Sequence, residues 1–272
     1  MMQTKEQGPV SDSARDTLSS APPIFVVGAP RSGTTLVRMM LDSHHRISCG
    51  PESHFLIDLR ALAERHERNF ARFGNGREDV DARVRSFFED VHVDYMTQRG
   101  RQRWADKTPQ YTLHLEYIDR LFPEAQHIHV IRDGRDVVAS HRERWGYRSA
   151  VKATGRWVHH VEAAQRFGRG PAADRCYEVR YEELVREPEP TLRPLFEFLG
   201  EPWDPNVLAF HELGHDADRF QAFTASRREQ SGDTSAIYTS RVGAGTRDLD
   251  PFLRALTGAR GGRLLRDLGY RT

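Results

Sequence analysis

The stretch IFVVGAPRSGTTLVRMML, residues 24–41, constrains the fold more than any other part of this 272-residue chain. Ile24–Val27 reads as a short buried strand. Thr34–Ser43 carries helical apolar spacing through Leu36, Met39 and Met40. A strand that feeds a helix through a glycine-bounded loop makes an anion cradle, because loop amides point inward and the helix start adds partial positive charge. The nucleoside-triphosphate form of this loop, G-x-x-x-x-G-K-[ST], sends its lysine to the terminal phosphates. Here Gly28 and Gly33 keep the spacing, but Thr34 stands at the lysine position. Thr34 and Thr35 bring hydroxyl donors, and Arg31 brings a guanidinium fork. Such a loop suits an anion that has no γ-phosphate and needs no Mg²⁺.

A second stretch, VIRDGRDVVASHRERW, extends the pattern. His127–Asp133 reads as a buried strand and the residues after it as a helix. Arg132 then falls at a strand end, where parallel sheets bind their ligands. Ser140 and Arg144 lie one helical turn apart and share a face. Taken alone, Arg-Asp-Gly-Arg is a surface turn with an ion pair. Beside the first loop it reads as a second anion site, and two cradles imply a nucleotide phosphorylated at two places.

Along the rest of the chain, residues 1–22 are polar without apolar period and read as a flexible lead-in. Residues 55–98 hold two amphipathic helical patterns broken at Gly74–Gly76, a side or lid element whose charges are a solvated face first and an acceptor lid second. Helices are expected at 150–168, around Pro190–Leu199 and at Pro251–Leu268, and a strand at Cys176–Arg180. The polar stretch 215–248 is long for a loop and so reads as functional or mobile. Strands alternating with helices argue for an α/β fold, a parallel sheet flanked by helices with a P-loop-like nucleotide site, in a single domain over 23–272.

The pair PRSGTT and RDGRDVVAS resembles the 5′- and 3′-phosphate motifs of sulfotransferases that use 3′-phosphoadenosine 5′-phosphosulfate, PAPS. The resemblance runs from about residue 24 to 255 and is nearest to the tyrosylprotein branch and its bacterial relatives. RSGTTLVRMMLDSHHRISCGPES is similar to that branch's loop, helix and Cys-Gly-x-Glu segment, which implies Glu52 as the general base. DKTP resembles its Lys-Asp-Pro segment and implies Lys107 as the catalytic lysine. RYEEL implies Tyr181 near the nucleotide. YTSRVGAGTRDL is loosely similar to a nucleotide-covering loop and implies Thr239 at the transition state, with Arg254 a basic nucleotide contact. The implied cofactor-binding set is Arg31, Ser32, Gly33, Thr34, Thr35, Arg132, Ser140, Arg144, Tyr181 and Arg254, with PAPS as co-substrate and no metal.

Two positions depart from the branch. Its cysteine before Gly-x-Glu pairs with another two residues ahead of the lysine; Cys49 is present, but Ala105 stands at the second position. Its arginine two residues after the glutamate is His54 here, which weakens the case for acidic tyrosine peptides as acceptor. Glu52 also suits a helix start, Lys107 a surface turn, and His54 is a rival base. His44 and His45 show no partners at metal-ligating spacing, His127 and His129 alternate as packing residues, and the four tryptophans read as core or interface rather than adenine stacks.

Forty basic against 39 acidic residues does not imply nucleic-acid binding. Two cysteines fit a reducing compartment, and the first apolar run is too short to span a bilayer, so a cytoplasmic protein is expected. The leading expectation is sulfuryl transfer to a hydroxyl, phenolic because a phenol with pKa near ~10 gives up its proton readily. A small metabolite is expected ahead of a peptide tyrosine. A small-molecule kinase with a degenerate loop is the alternative of another class, opposed by Thr34. A catalytically silent nucleotide binder is opposed by Glu52 and Lys107. The oligomeric state is left open.

Overall fold

Alternation along one five-residue strand sets the layering. In β1 (Ile24–Gly28), Ile24 and Val26 point to one face of the sheet and Phe25 and Val27 to the other, and all are buried. A strand buried on both faces must be covered on both. The computed structural model describes residues 21–212 and 239–270. It shows a parallel sheet of order β2-β3-β1-β4-β5, with β2 at Ile47–Cys49, β3 at Arg103–Asp106, β4 at Gln126–Ile131 and β5 at Cys176–Arg180.

One face packs on α1 (Thr34–Ser43) and α9 (Pro188–Leu199), where Ile24 and Val26 meet Val37, Met40, Leu195 and Phe196. The other face carries the helical side element: α2 (Phe55–Arg65), α3 (Glu67–Arg72) and α4 (Arg77–Gln98), followed beyond β3 by α5 (Leu115–Leu121). There Phe25 stands among Phe88, Trp104 and Phe122, with ring centroids 5.6–6.3 Å apart. Burying an aromatic side chain of this kind contributes about 1.5–3 kcal/mol. Beyond β4 run α6 (Gly134–Trp145) and α7 (Tyr147–Gly168), split at Gly146 with φ 78°. The short α8 (Tyr181–Arg186) follows β5, and α10 (Ala244–Asp248) and α11 (Pro251–Asp267) close the chain. Among the described residues no helix is long and apolar enough to cross a membrane.

Several boundaries move for identifiable reasons. β2 and β3 have no strand signature in the sequence: β2 is three residues long, and β3 reads RWAD. Arg103 is nonetheless buried, because its guanidinium bonds the carbonyls of Pro22 and Leu199 and the Glu201 carboxylate. Asp106 is buried against His92 Nε2 at 3.1 Å. β4 stops at Ile131, not Asp133, because Asp133 caps α6 by accepting from the Arg135 amide. The side element has three helices rather than two, with an extra break at His66. The expected lead-in is shorter at its far end, since Pro22 is tied down by Arg103; residues 1–20 lie outside the described residues. So does most of the expected covering loop, residues 213–238, while its end is the ordered α10. His44 and His45 do meet a third candidate ligand, Asp204, at the amino end of β2. Three of their ring nitrogens are engaged in hydrogen bonds: both of His44, with Pro202 O and the Arg46 amide, and Nδ1 of His45, with Asp204 Oδ2 at 2.8 Å. This is a clasp between α1 and the segment after α9.

Candidate active site

Each of the five strands ends in, or within a few residues of, a side chain singled out above. β1 ends in the 28–35 loop, and β2 is followed by Glu52, β3 by Lys107, β4 by Arg132 and β5 by Tyr181. That is the carboxyl edge of a parallel sheet, where loops converge and ligands bind.

The loop is shaped by two glycines. Gly28 has φ 150°, and a Cβ there would sit 2.6 Å from the Val130 carbonyl; Gly33 has φ 101°, and a Cβ would meet the Tyr181 ring at 2.3 Å. Only glycine fits either position without displacing a neighbour. Thr112 fastens the loop's start by accepting from the Gly28 amide at 2.8 Å. Arg31 is itself left-handed, φ 76°, which turns its side chain toward α6: Nε donates to Ser140 Oγ at 3.0 Å, and the guanidinium lies over Trp145 at 5.6 Å. Ser32 is fully buried and its Oγ has no partner. Thr34 is buried and Thr35 half-buried at the start of α1.

The second motif joins the first directly. Arg132 donates to the Arg31 carbonyl at 3.3 Å and to the Arg241 carbonyl at 2.8 Å, and its guanidinium lies 4.2 Å from the Tyr181 ring centre. Its Nε is buried with no partner. Tyr181 is thus wedged between Gly33 and Arg132. Arg144 lies one turn beyond Ser140 on α6 and is exposed. Two orphaned buried donors, Ser32 Oγ and Arg132 Nε, flank the cradle. An unmet buried donor costs about 1–3 kcal/mol, which an anion's oxygens would offset. The residues present therefore fit a phosphorylated ligand.

The carboxylate side is assembled from further away. Arg38 of α1, buried, donates through Nε to the carbonyls of Cys49 and Gly50 at 3.0 and 2.7 Å, fixing the chain just before Glu52. Lys107 is 3 % exposed, forms an ion pair with Glu52 Oε1 and approaches Thr35 Oγ1 at 3.4 Å. Glu52 Oε2 lies 3.1 Å from His54 Nε2. Glu52 and Lys107, 55 positions apart, are therefore one contact pair beside the anion loop.

Two expected residues stand at the margin. Thr239 opens a 3₁₀ turn, Thr239–Arg241, and is exposed; Arg241 brings that turn to Arg132 and pairs with Glu143 at 2.6 Å. Arg254 is not drawn into the cluster, for its NH2 group donates to the Leu249 carbonyl at 2.9 Å.

The sequence reading missed Arg38, Thr108, Tyr111, Thr112 and Asp136, and it read Trp145 as core or interface, whereas that ring is exposed beside the Arg31 guanidinium. Asp136 accepts from the amides of Gly243 and Gly245 at 2.8 and 2.7 Å, and burial holds its carboxyl above the usual range. It thereby latches the end of the covering segment onto α6. Its only signal was an acidic residue inside RDGRD. Cys49 and Ala105 are in-register partners on adjacent strands, and both described cysteines are free. Burial pushes the Cys49 thiol far up.

Comparison with known proteins agrees with this geometry. Residues 22–205 match the profile of the sulfotransferase family. The protein-tyrosine sulfotransferase of Drosophila melanogaster is 32 % identical over 204 residues, 71 % of this chain and 40 % of its own length. The first three curated relatives are covered over only 40 % to 57 % of their length. Among solved structures, the sulfotransferase domain of the Synechococcus PCC 7002 olefin synthase superposes with a TM-score of 0.66 at 23 % identity, covering 93 % of this chain and 97 % of that one. A mouse sulfotransferase complexed with PAP superposes with a TM-score of 0.54 at 16 % identity, covering 95 % and 92 %. Fold, loop and profile converge: the chain belongs to the sulfotransferase family, and its curated relatives are protein-tyrosine sulfotransferases.

Proposed function

We propose that this sulfotransferase transfers a sulfuryl group from PAPS to a phenolic hydroxyl, with Glu52 as general base. The observation that carries the reading is the Glu52–Lys107 pair beside Thr35 of the anion loop. A pure nucleotide binder needs no carboxylate there, and a kinase needs the lysine that Thr34 replaces. The orphaned donors Ser32 Oγ and Arg132 Nε support a bisphosphorylated donor. So does the neighbouring fold that was solved with PAP.

In this reading Arg31, Ser32, Gly33, Thr34 and Thr35 hold the 5′-phosphosulfate. Arg132, Ser140 and Arg144 hold the 3′-phosphate, with Tyr181 behind them. PAPS supplies the sulfuryl group. Glu52 takes the proton as the acceptor oxygen bonds to sulfur, and the sulfur–oxygen bond to the 5′-phosphate breaks. Lys107 stabilises charge on that bridging oxygen, and Thr239 donates to a sulfonate oxygen. The protein's work is positioning and electrostatics, as in phosphoryl transfer. Arg254 would join the nucleotide only by leaving Leu249.

For the acceptor we place a peptide tyrosine ahead of a small metabolite, the reverse of the order read from sequence. The relatives that match 71 % of this chain at about a third identity are named for protein tyrosine. We assign α2–α4 to the acceptor side, because α2 starts directly after the turn carrying Glu52.

The test incubates the purified chain with PAPS and tyrosine peptides beside a panel of small phenols, reading sulfated products by mass spectrometry. Sulfated peptide is expected. Calorimetry should show PAP binding without Mg²⁺; Mg·ATP bound in preference, with phosphorylated product, would remove the reading.

A further inference from the structure

Among the described residues only two that are not glycine have positive φ, and both border this site: Arg31 and His54. His54 sits at φ 54°, ψ −39°, with the Phe55 amide bonded to the Ser53 carbonyl at 2.5 Å. An i→i+2 bond around such a residue is the γ-turn of the rare, strained hand. Holding a non-glycine side chain there costs about 1–3 kcal/mol, and such strain persists only where the surroundings enforce it.

The surroundings do enforce it. Ser53 is held twice from the segment that also carries Lys107: its amide donates to Thr108 Oγ1 at 3.1 Å, and its hydroxyl shares a 2.6 Å bond with Tyr111 Oη. Tyr111 Oη also accepts from the Leu56 amide at 3.2 Å, so one buried phenol grips both sides of the turn. Burial drives that phenol above its ordinary range, which keeps it a hydroxyl. Glycine would adopt this backbone without strain. The chain has histidine instead, and the turn brings its Nε2 to within 3.1 Å of Glu52 Oε2 while Lys107 takes Oε1.

We infer that His54 is a positioning residue for Glu52, presented by a strained turn that Tyr111 clamps. This rests on Glu52 being the base. With Lys107 on one oxygen and the Nε2–H tautomer of His54 on the other, the carboxylate plane is fixed and its remaining lone pairs face the acceptor side. Once Lys107 turns to the donor's bridging oxygen, His54 alone holds that plane. In this chain the imidazole occupies a position where the tyrosylprotein branch has an arginine, so it acts on the base and not on an acidic flank of the acceptor.

The experiment compares His54→Gly, His54→Asn and Tyr111→Phe with the wild type, using PAPS and a tyrosine peptide. His54→Gly relieves the backbone, so its Tm should equal or exceed that of the wild type, and its PAP affinity should be unchanged. Its kcat should fall about tenfold, the size of one lost hydrogen bond to a charged group. His54→Asn, which tolerates the left-handed backbone and carries an amide donor, should regain about half of that loss on a logarithmic scale. Tyr111→Phe should lower kcat with the imidazole intact. Independently of turnover, the ¹⁵N resonance of His54 Nε2 should move in Glu52→Gln. A wild-type kcat in His54→Gly overturns the inference, as does an unmoved Nε2 resonance. Imidazole added to His54→Gly that restores a rate proportional to free base, with no recovery in His54→Asn, makes His54 the base and overturns it too. If the wild type transfers no sulfuryl group from PAPS, the proposed function fails, and the resonance still decides whether the pair exists.

Discussion

The loop at 28–35 and the turn at 51–55 face each other across one site and are built differently. The loop takes its shape from its own residues: two glycines that no other residue can replace, and a helix start behind them. The turn takes its shape from elsewhere, from Arg38 on one side and from Thr108 and Tyr111 on the other. One half is a backbone cradle and the other a set of side chains held by side chains. The first tolerates little local change, and the distant residues Thr112 and Arg132 fasten a backbone that its own glycines already shape. The second depends on two separate segments at once, α1 and the stretch 107–111. Donor binding and turnover should therefore be separable by mutation.

The largest separation is expected at Glu52. Glu52→Gln should bind PAP like the wild type in calorimetry yet lose ~10²–10⁴-fold in kcat, the usual contribution of a general base. Loss of PAP affinity instead would mean the two halves are one unit.

Acid should blur the comparison, and the direction follows from three buried histidines. Burial lowers His127 to about 3 and His141 and His160 to about 4, from an ordinary 6.5. A base depressed in the fold leaves stability intact above the unfolded value and withdraws it as pH falls toward the folded one. Below pH 6.5 each should cost about 1–2 kcal/mol by pH 5. A Tm that stays level from pH 7 to 5 would contradict this, and the turn variants should be compared above that window.

Arg132→Ala sharpens the donor half. Its guanidinium ties the loop's Arg31 carbonyl to the Arg241 turn, so PAP affinity should drop by about 1.5–3 kcal/mol, ten- to hundredfold. Turnover at saturating donor should change less. Unchanged affinity by calorimetry would detach the second motif from the nucleotide. The smallest effect is expected at Arg254→Ala, within about threefold in PAP affinity, because its side chain already serves Leu249. A larger loss would show that it swings to the nucleotide.

The same contrast explains what the sequence disclosed. The loop, α1 and α6 are legible because each is encoded in contiguous residues: glycines at fixed spacing and apolar positions at helical period. Glu52 and Lys107 have no local signature, and only the resemblance to the tyrosylprotein branch singled them out. Tyr111 reads as an ordinary aromatic in TPQYTLH until its hydroxyl is seen between Ser53 and Leu56. β3 was hidden for the same reason, since Arg103 and Asp106 look like surface residues until Leu199, Glu201 and His92 are brought to them. Asp136 gave no sign that it would latch two glycine amides a hundred residues later. What is satisfied at long range cannot be read at short range.

The strand order has a consequence for how the molecule comes to exist in time. β1 pairs on both sides with strands from beyond residue 100, Ile24 with Ala105 and with Gln126. Each closure spends loop entropy before it gains contacts, the situation in which parallel sheets fold slowly. The carboxyl edge is complete only when both closures and the β2–β3 and β4–β5 pairings are made, so a partly folded chain has the glycine loop but no site. On the proposed function, donor nucleotide would then offer no template for early folding. It would favour the finished state alone, raising stability by about 2.7 kcal/mol at a hundred times its Kd, and so it should slow unfolding while leaving the folding rate untouched.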